Sequence, residues 1–162
     1  MTAEKLLRRA RHPVVSARRL VRRVAEGRGL PVGRTAAARR LLRAVLDGRE
    51  RALVLGPTGV VRQALPHAEL DVVGTDPYRL EVTVVSEAAD EASLPRRWHC
   101  VVVTDPAPSA GRLAAAAGAG LPNAVIALVG SRRDHTAVPP GTHVERTVRR
   151  GSVQVVVARL VP

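Results

Sequence analysis

Residues 34–162 predict a doubly wound α/β domain whose sheet ends in an antiparallel hairpin. Three observations carry this. From residue 51 onward, short Val-rich runs alternate with Ala-rich or polar segments. The first five runs are mostly apolar on both faces, as expected of parallel strands covered by helices on each side. The last two are separated only by Arg149-Arg150-Gly151-Ser152, a hairpin turn.

The elements follow in chain order. Residues 3–26 form a basic amphipathic helix: Leu6, Leu7, Ala10, Val14, Ala17, Val21 and Val24 make one apolar stripe flanked by arginines. Pro13 removes an amide donor and disfavours helical geometry at His12, so two pieces or a kink are expected there. Residues 26–33 are a linker, which closes a helical extension over 1–33. A second helix is expected over 35–47, with Gly48 as its stop. Strands are expected at 52–55, 70–74, 80–85, 100–104, 124–129, 143–148 and 153–160, with an Ala-rich helix at 109–120. There is no internal repeat.

Composition narrows the class. The chain has 162 residues, 46% of them apolar, with no Phe, one Trp and one Tyr, so its core is built from Val, Leu, Ile and Ala. Its 26 basic residues include a single lysine, Lys5, a preference that matches the codon bias of a high-GC genome. The net charge of +12 is uneven: residues 1–51 carry 15 Lys/Arg against 4 acids, residues 52–162 carry 11 Arg against 10 acids. A basic front end on a nearly neutral body points to an anionic partner.

Cys100 is the only cysteine and stands in an apolar run, so it reads as a buried small residue and no intrachain disulfide is possible. The five histidines are scattered without ligand spacing, and no metal site is expected. No run of about 18 apolar residues would span a membrane. The charged N-terminus lacks a signal peptide's apolar core. A cytoplasmic location is expected, peripheral at a membrane if the front end docks there.

In such a sheet, ligands bind at the carboxyl ends of the strands near the reversal of strand order. "LGPTG" (55–59) follows the first strand. Asp76 in "GTDP" follows the second, Asp90 in "SEAADEASLP" the third, and Asp105 in "VVTDP" the fourth. Each aspartate also has a plainer role, as a turn residue before Pro77 or Pro106 or, for Asp90, as a helix cap. His135 beside Asp134 could serve as a general base or as a solvated loop residue.

These pieces, in this order, resemble the class I S-adenosylmethionine-dependent methyltransferases over about residues 40–162. That family has a Rossmann-like sheet of seven strands, the last two a hairpin. It places a glycine-rich turn after the first strand and an acidic residue after the second. Many members then carry an Asp-Ala-x-x-Leu-Pro-like stretch and an aromatic-Asp-Val-Val strand; "DEASLP" (90–95) and "WHCVVV" (98–103) have that spacing. The resemblance implies that Gly56, Thr58 and Gly59 line the methionine part of S-adenosylmethionine, Asp76 its ribose and Asp90 its adenine. The chain departs from the pattern in the first loop. The family's acidic position is Val54 here, and its glycine positions are Gly56, Thr58 and Val60, or a shortened loop ending at Gly59. A carboxylate can bind the cofactor's amino group and Val54 cannot, so weak cofactor binding is expected.

Two other functions stay open. One is a non-catalytic protein that kept the fold and acts as a membrane- or partner-binding accessory. The other is a nicotinamide-dinucleotide domain: "GPTGVVR" (56–62) resembles the turn of the extended short-chain dehydrogenase/epimerase family, with Asp76 about 20 residues on. That family's Tyr-x-x-x-Lys pair is impossible here, because Lys5 is the only lysine. Residues 1–28 could dock on an anionic membrane surface, bind nucleic acid, or pack on the domain or a second subunit. Scarce aromatics weigh against base stacking on single strands. The methyl acceptor is not legible.

Overall fold

The structure, a computed structural model, describes residues 32–73, 83–84, 91–132 and 137–162. The expected helix over 3–26 lies outside the described residues. Among the described residues no helix is long and apolar enough to cross a membrane.

The elements run α1 (Val32–Leu46), β1 (Arg51–Leu55), α2 (Gly59–Ala64), β2 (Glu69–Val72), β3 (Thr83–Val84), β4 (Trp98–Val103), α3 (Ala110–Ala119), β5 (Gly120–Ser131), β6 (Thr142–Arg150) and β7 (Val153–Leu160). A short 3₁₀ turn occupies Glu91–Ser93. The seven strands order as β3-β2-β1-β4-β5-β7-β6. The first five pair in parallel, and β7 runs antiparallel between β5 and β6. All seven expected strands are present. The helix expected over 35–47 begins three residues earlier, at Val32.

Alternation along the strands splits the core in two. Val54, Leu70, Cys100, Val102, Ala127 and Val155 pack on the face covered by α1 and α2. Leu53, Leu55, Val101, Val103, Ile126 and Leu128 pack on the face covered by α3. Strands β1, β4, β5 and β7 read as largely apolar runs because both faces are buried. α1 contributes Ala38, Leu42 and Leu46, four residues apart and fully buried. α3 starts where the Ser109 hydroxyl accepts a hydrogen bond from the Arg112 amide, and its Leu113, Ala116 and Ala119 face the sheet. The β6–β7 hairpin turns at Gly151, whose φ of +60° suits glycine.

Cys100 is buried, and burial pushes its thiol up to about 11. That fits a packing residue.

Candidate functional site

Parallel pairing of β1 with both β2 and β4 puts the reversal of strand order at β1, whose next strands in sequence go to opposite sides. The loop after β1 therefore opens onto the crevice where doubly wound folds bind ligands. Gly56 begins this loop with φ +107°, a conformation side chains rarely adopt. A Cβ on Gly56 would stand 2.7 Å from Thr104 Oγ1 and 3.2 Å from the Asp105 amide nitrogen. Thr104, just past β4, donates from its amide to the Leu55 carbonyl (3.0 Å) and from its hydroxyl to the Pro57 carbonyl (2.8 Å). The missing side chain of Gly56 thus lets the β1 loop and the β4 end close onto each other.

Thr58 precedes α2 in helical geometry and is largely buried. Its carbonyl accepts the Arg62 amide at 2.9 Å, while its hydroxyl makes no capping bond to the helix. Gly59 is the first residue of α2. Val60 packs into the core. The Arg62 guanidinium donates to the Ala68 carbonyl (2.9 Å), just ahead of β2, and so turns toward the amino ends of the strands, away from the crevice.

Asp76 and Asp90 lie outside the described residues, as do Asp134 and His135. Asp105 is engaged locally. One carboxylate oxygen accepts the Ala107 amide (3.1 Å), the turn role, and the other accepts Arg112 Nη1 (2.9 Å). Arg112 also grips Glu91 with two bonds, Nε to Oε2 at 3.0 Å and Nη2 to Oε1 at 2.7 Å. Hydrogen bonding to Glu91 first, then the charges of Glu91 and Asp105, raise the Arg112 pKa above its ordinary value. The effect is to clamp the 3₁₀ turn onto the start of α3.

The sequence reading missed a second polar group. Asp71, in β2, is fully buried. It accepts Arg51 Nε at 2.8 Å and Nη2 at 3.3 Å, and Trp98 Nε1 at 2.6 Å. The Arg97 guanidinium lies over the Trp98 ring at 4.6 Å. An aspartate between the apolar Leu70 and Val72 was the available signal, because a buried carboxylate requires partners. This group ties β2 to the first residues of β1 and β4, at the ends of those strands opposite the Gly56 loop.

Among the described residues no cluster of His, Cys, Asp and Glu could hold a metal ion. An open cleft of about 300 Å³ lies between the end of α1 and the α2–β2 connection, lined by Arg43, Asp47, Arg49, Glu50, Leu65 and His67. It sits at the amino ends of the strands, opposite the crevice.

Gly56, Thr58 and Gly59 form the turn that S-adenosylmethionine would meet, chiefly through its backbone, if it bound at this crevice. They lack a counter-charge for its amino group: Val54, two residues before Gly56, is 1% exposed and belongs to the core.

A parallel sheet with this strand order and a reversed β7 is the fold of class I S-adenosylmethionine-dependent methyltransferases. It departs from the dinucleotide-binding order, 3-2-1-4-5-6. The solved structures agree. The Burkholderia thailandensis 1,6-didemethyltoxoflavin-N1-methyltransferase, solved with S-adenosylhomocysteine, matches with a TM-score of 0.62 at 14% identity, over 100% of this chain and 92% of that one. The mitomycin 7-O-methyltransferase MmcR matches with 0.58 at 14% identity, over 80% and 54%. The Thermus thermophilus 16S rRNA N2 G1207 methyltransferase, in complex with AdoMet and guanosine, matches with 0.53 at 20% identity, over 78% and 39%. At these identities the likeness is one of fold. No family model matches the sequence, and neither does any curated protein.

Proposed function

We propose that this chain is an S-adenosylmethionine-dependent methyltransferase-like protein that holds its cofactor weakly. The observation that carries this reading is the positive-φ Gly56 turn at the reversal of strand order, closed against Thr104. Backbone amides of the turn and the Thr58 hydroxyl would receive the methionine part, Asp76 the ribose hydroxyls and Asp90 the adenine. Bound there, S-adenosylmethionine would supply an electrophilic methyl group. The chain's own contribution would be orientation of an acceptor against it. With Val54 in place of a carboxylate, the ammonium of the ligand gains no ion pair, and a Kd on the order of 0.1–1 mM is expected, about −4 to −5.5 kcal/mol.

Calorimetric titration with S-adenosylmethionine, S-adenosylhomocysteine and NAD tests this. The expected result is weak binding of the two sulfur ligands, none of NAD, and further weakening in Asp76→Ala. No heat up to several times the expected Kd would overturn the reading. The alternative is a non-catalytic protein on the same fold. It is favoured by Asp105, which is tied to Arg112 and Ala107 at the crevice.

A further inference from the structure

The face of the sheet that α1 covers carries charge that the cofactor reading does not use. Arg39, Arg40 and Arg43 are exposed on α1, and Arg146 and Arg150 are exposed on β6. Arg146 stands opposite Val157 and Arg150 opposite Val153. Both valines belong to the cluster beneath α1, so both arginines emerge on the α1 side. Helix and strand are joined into one surface: Arg34 Nε donates to Ser152 Oγ (3.1 Å), and Arg146 Nη2 to the Val45 carbonyl (3.4 Å). At the carboxyl end of the sheet the Arg132 amide donates to the Ser152 carbonyl (2.9 Å), which adds another exposed arginine to the rim.

None of Arg39, Arg40, Arg43, Arg132 or Arg150 takes part in an ion pair among the described residues. Arg34 and Arg146 bond to a neutral hydroxyl and a neutral carbonyl, so their charge is not compensated by those contacts. Glu145, the one acid of β6, is held by Arg159. Beside these seven arginines the acids Asp47 and Glu50 stand at the Arg43 end, in the cleft described above. The remaining like charges repel one another, and an anionic ligand relieves that repulsion.

We infer that the α1–β6 face binds the phosphate backbone of double-helical nucleic acid. A membrane surface fits less well, because interfacial docking needs apolar side chains beside the basic ones. Here Ala38, Leu42 and Leu46 of α1 are fully buried in the domain. The exposed large hydrophobics among the described residues are Val138, Val144 and Val161, and none is on α1. A single strand fits less well too, because binding it relies on aromatic platforms and these two elements carry none. Phosphates held in the fixed array of a duplex suit guanidinium groups projecting from a helix and a strand. The inference rests on the charge of this face and stands apart from the cofactor reading. At Arg34, Arg132 and Arg150, the surface reaches the same end of the sheet as the Gly56 loop.

The test uses the full chain without cofactor and fluorescence anisotropy of a labelled RNA duplex and DNA duplex, each of about two helical turns. Sedimentation with phosphatidylserine-containing vesicles is the parallel arm. Arg39→Glu/Arg40→Glu/Arg43→Glu should weaken duplex binding roughly 10-fold or more and reduce the slope of log K against log salt by about three. Arg97→Glu, a single reversal at the amino end of β4 and the match for each single substitution, should stay within about twofold. Single substitutions, each lowering the slope by about one, answer the question if the triple variant does not fold. Parent-like duplex affinity in the triple and single variants would overturn the inference, as would a parent chain that sediments with vesicles and ignores both duplexes.

Discussion

Replacing Gly56 by alanine should destabilise the domain by more than a surface change can. The new Cβ would meet Thr104 Oγ1 at 2.7 Å, about 0.7 Å inside the 3.4 Å at which ordinary contact begins. It would also meet the Asp105 backbone nitrogen at 3.2 Å, which cannot rotate away. Thr104 can turn only by giving up its 2.8 Å hydrogen bond to the Pro57 carbonyl, a loss of about 0.5–1.5 kcal/mol. Holding a non-glycine residue at φ +107° adds about 1–3 kcal/mol. Together these predict a loss of about 2–4 kcal/mol, a large share of a typical domain's ~5–15 kcal/mol. Urea unfolding followed by the fluorescence of the single tryptophan, Trp98, measures it. Thr104→Ala in the same background removes the clash but not the backbone strain, so the double-mutant cycle should show a coupling of about 1 kcal/mol. If Gly56→Ala lies within about 0.5 kcal/mol of the parent, the two ends are not closed as described and the reasoning is wrong.

Trp98→Phe removes the indole donor from the fully buried Asp71 and should cost about 1–3 kcal/mol in urea unfolding followed by circular dichroism; an unchanged midpoint would mean the carboxylate does not depend on it. Arg112→Met should lower stability by about 1–2 kcal/mol, because three charge-assisted bonds to Glu91 and Asp105 are lost together; thermal melts that superimpose would count against the clamp. The Cys100 thiol, pushed up to about 11 by burial, should react with a disulfide reagent near neutral pH only as fast as the protein opens. Rapid labelling of the native chain would contradict its burial. Glu145 titrates below its ordinary value of 4.5, first because of its hydrogen bond from Arg159. Its contribution is therefore complete above about 4.5 and is lost as pH falls through the lowered value. Melts of Arg159→Gln should show a smaller drop over that acid range than the parent, and an equal drop would refute the pairing.

Strands β1, β4, β5 and β7 were legible because they are apolar runs buried on both faces, a pattern that survives without knowledge of partners. The hairpin at Gly151 and the α3 start at Ser109 were legible because turn and cap chemistry is local. What closes the candidate site was not. Gly56 reads in sequence as room for a ligand, whereas in the fold much of that room belongs to Thr104, 48 positions away. Likewise Asp105 reads as a residue facing the crevice, and only the fold supplies Arg112 and, through it, Glu91. The Arg51–Asp71–Trp98 group depends on three strands lying side by side, which is information the spacing of those residues does not contain.

One edge of the sheet is β6, which has no strand on its outer side among the described residues. Its register shifts between Val144 and Arg146, and Arg146, Arg149 and Arg150 crowd its second half. A kinked, same-charge edge is a poor template for another strand, so these arginines also guard the protein against growing its sheet from one molecule to the next. Neutral replacements there would leave Val144, already 48% exposed, beside an unguarded edge and invite aggregation. Glutamates would keep like charges facing each other across any such contact, so loss of polyanion binding and loss of solubility can be separated by the choice of substitution.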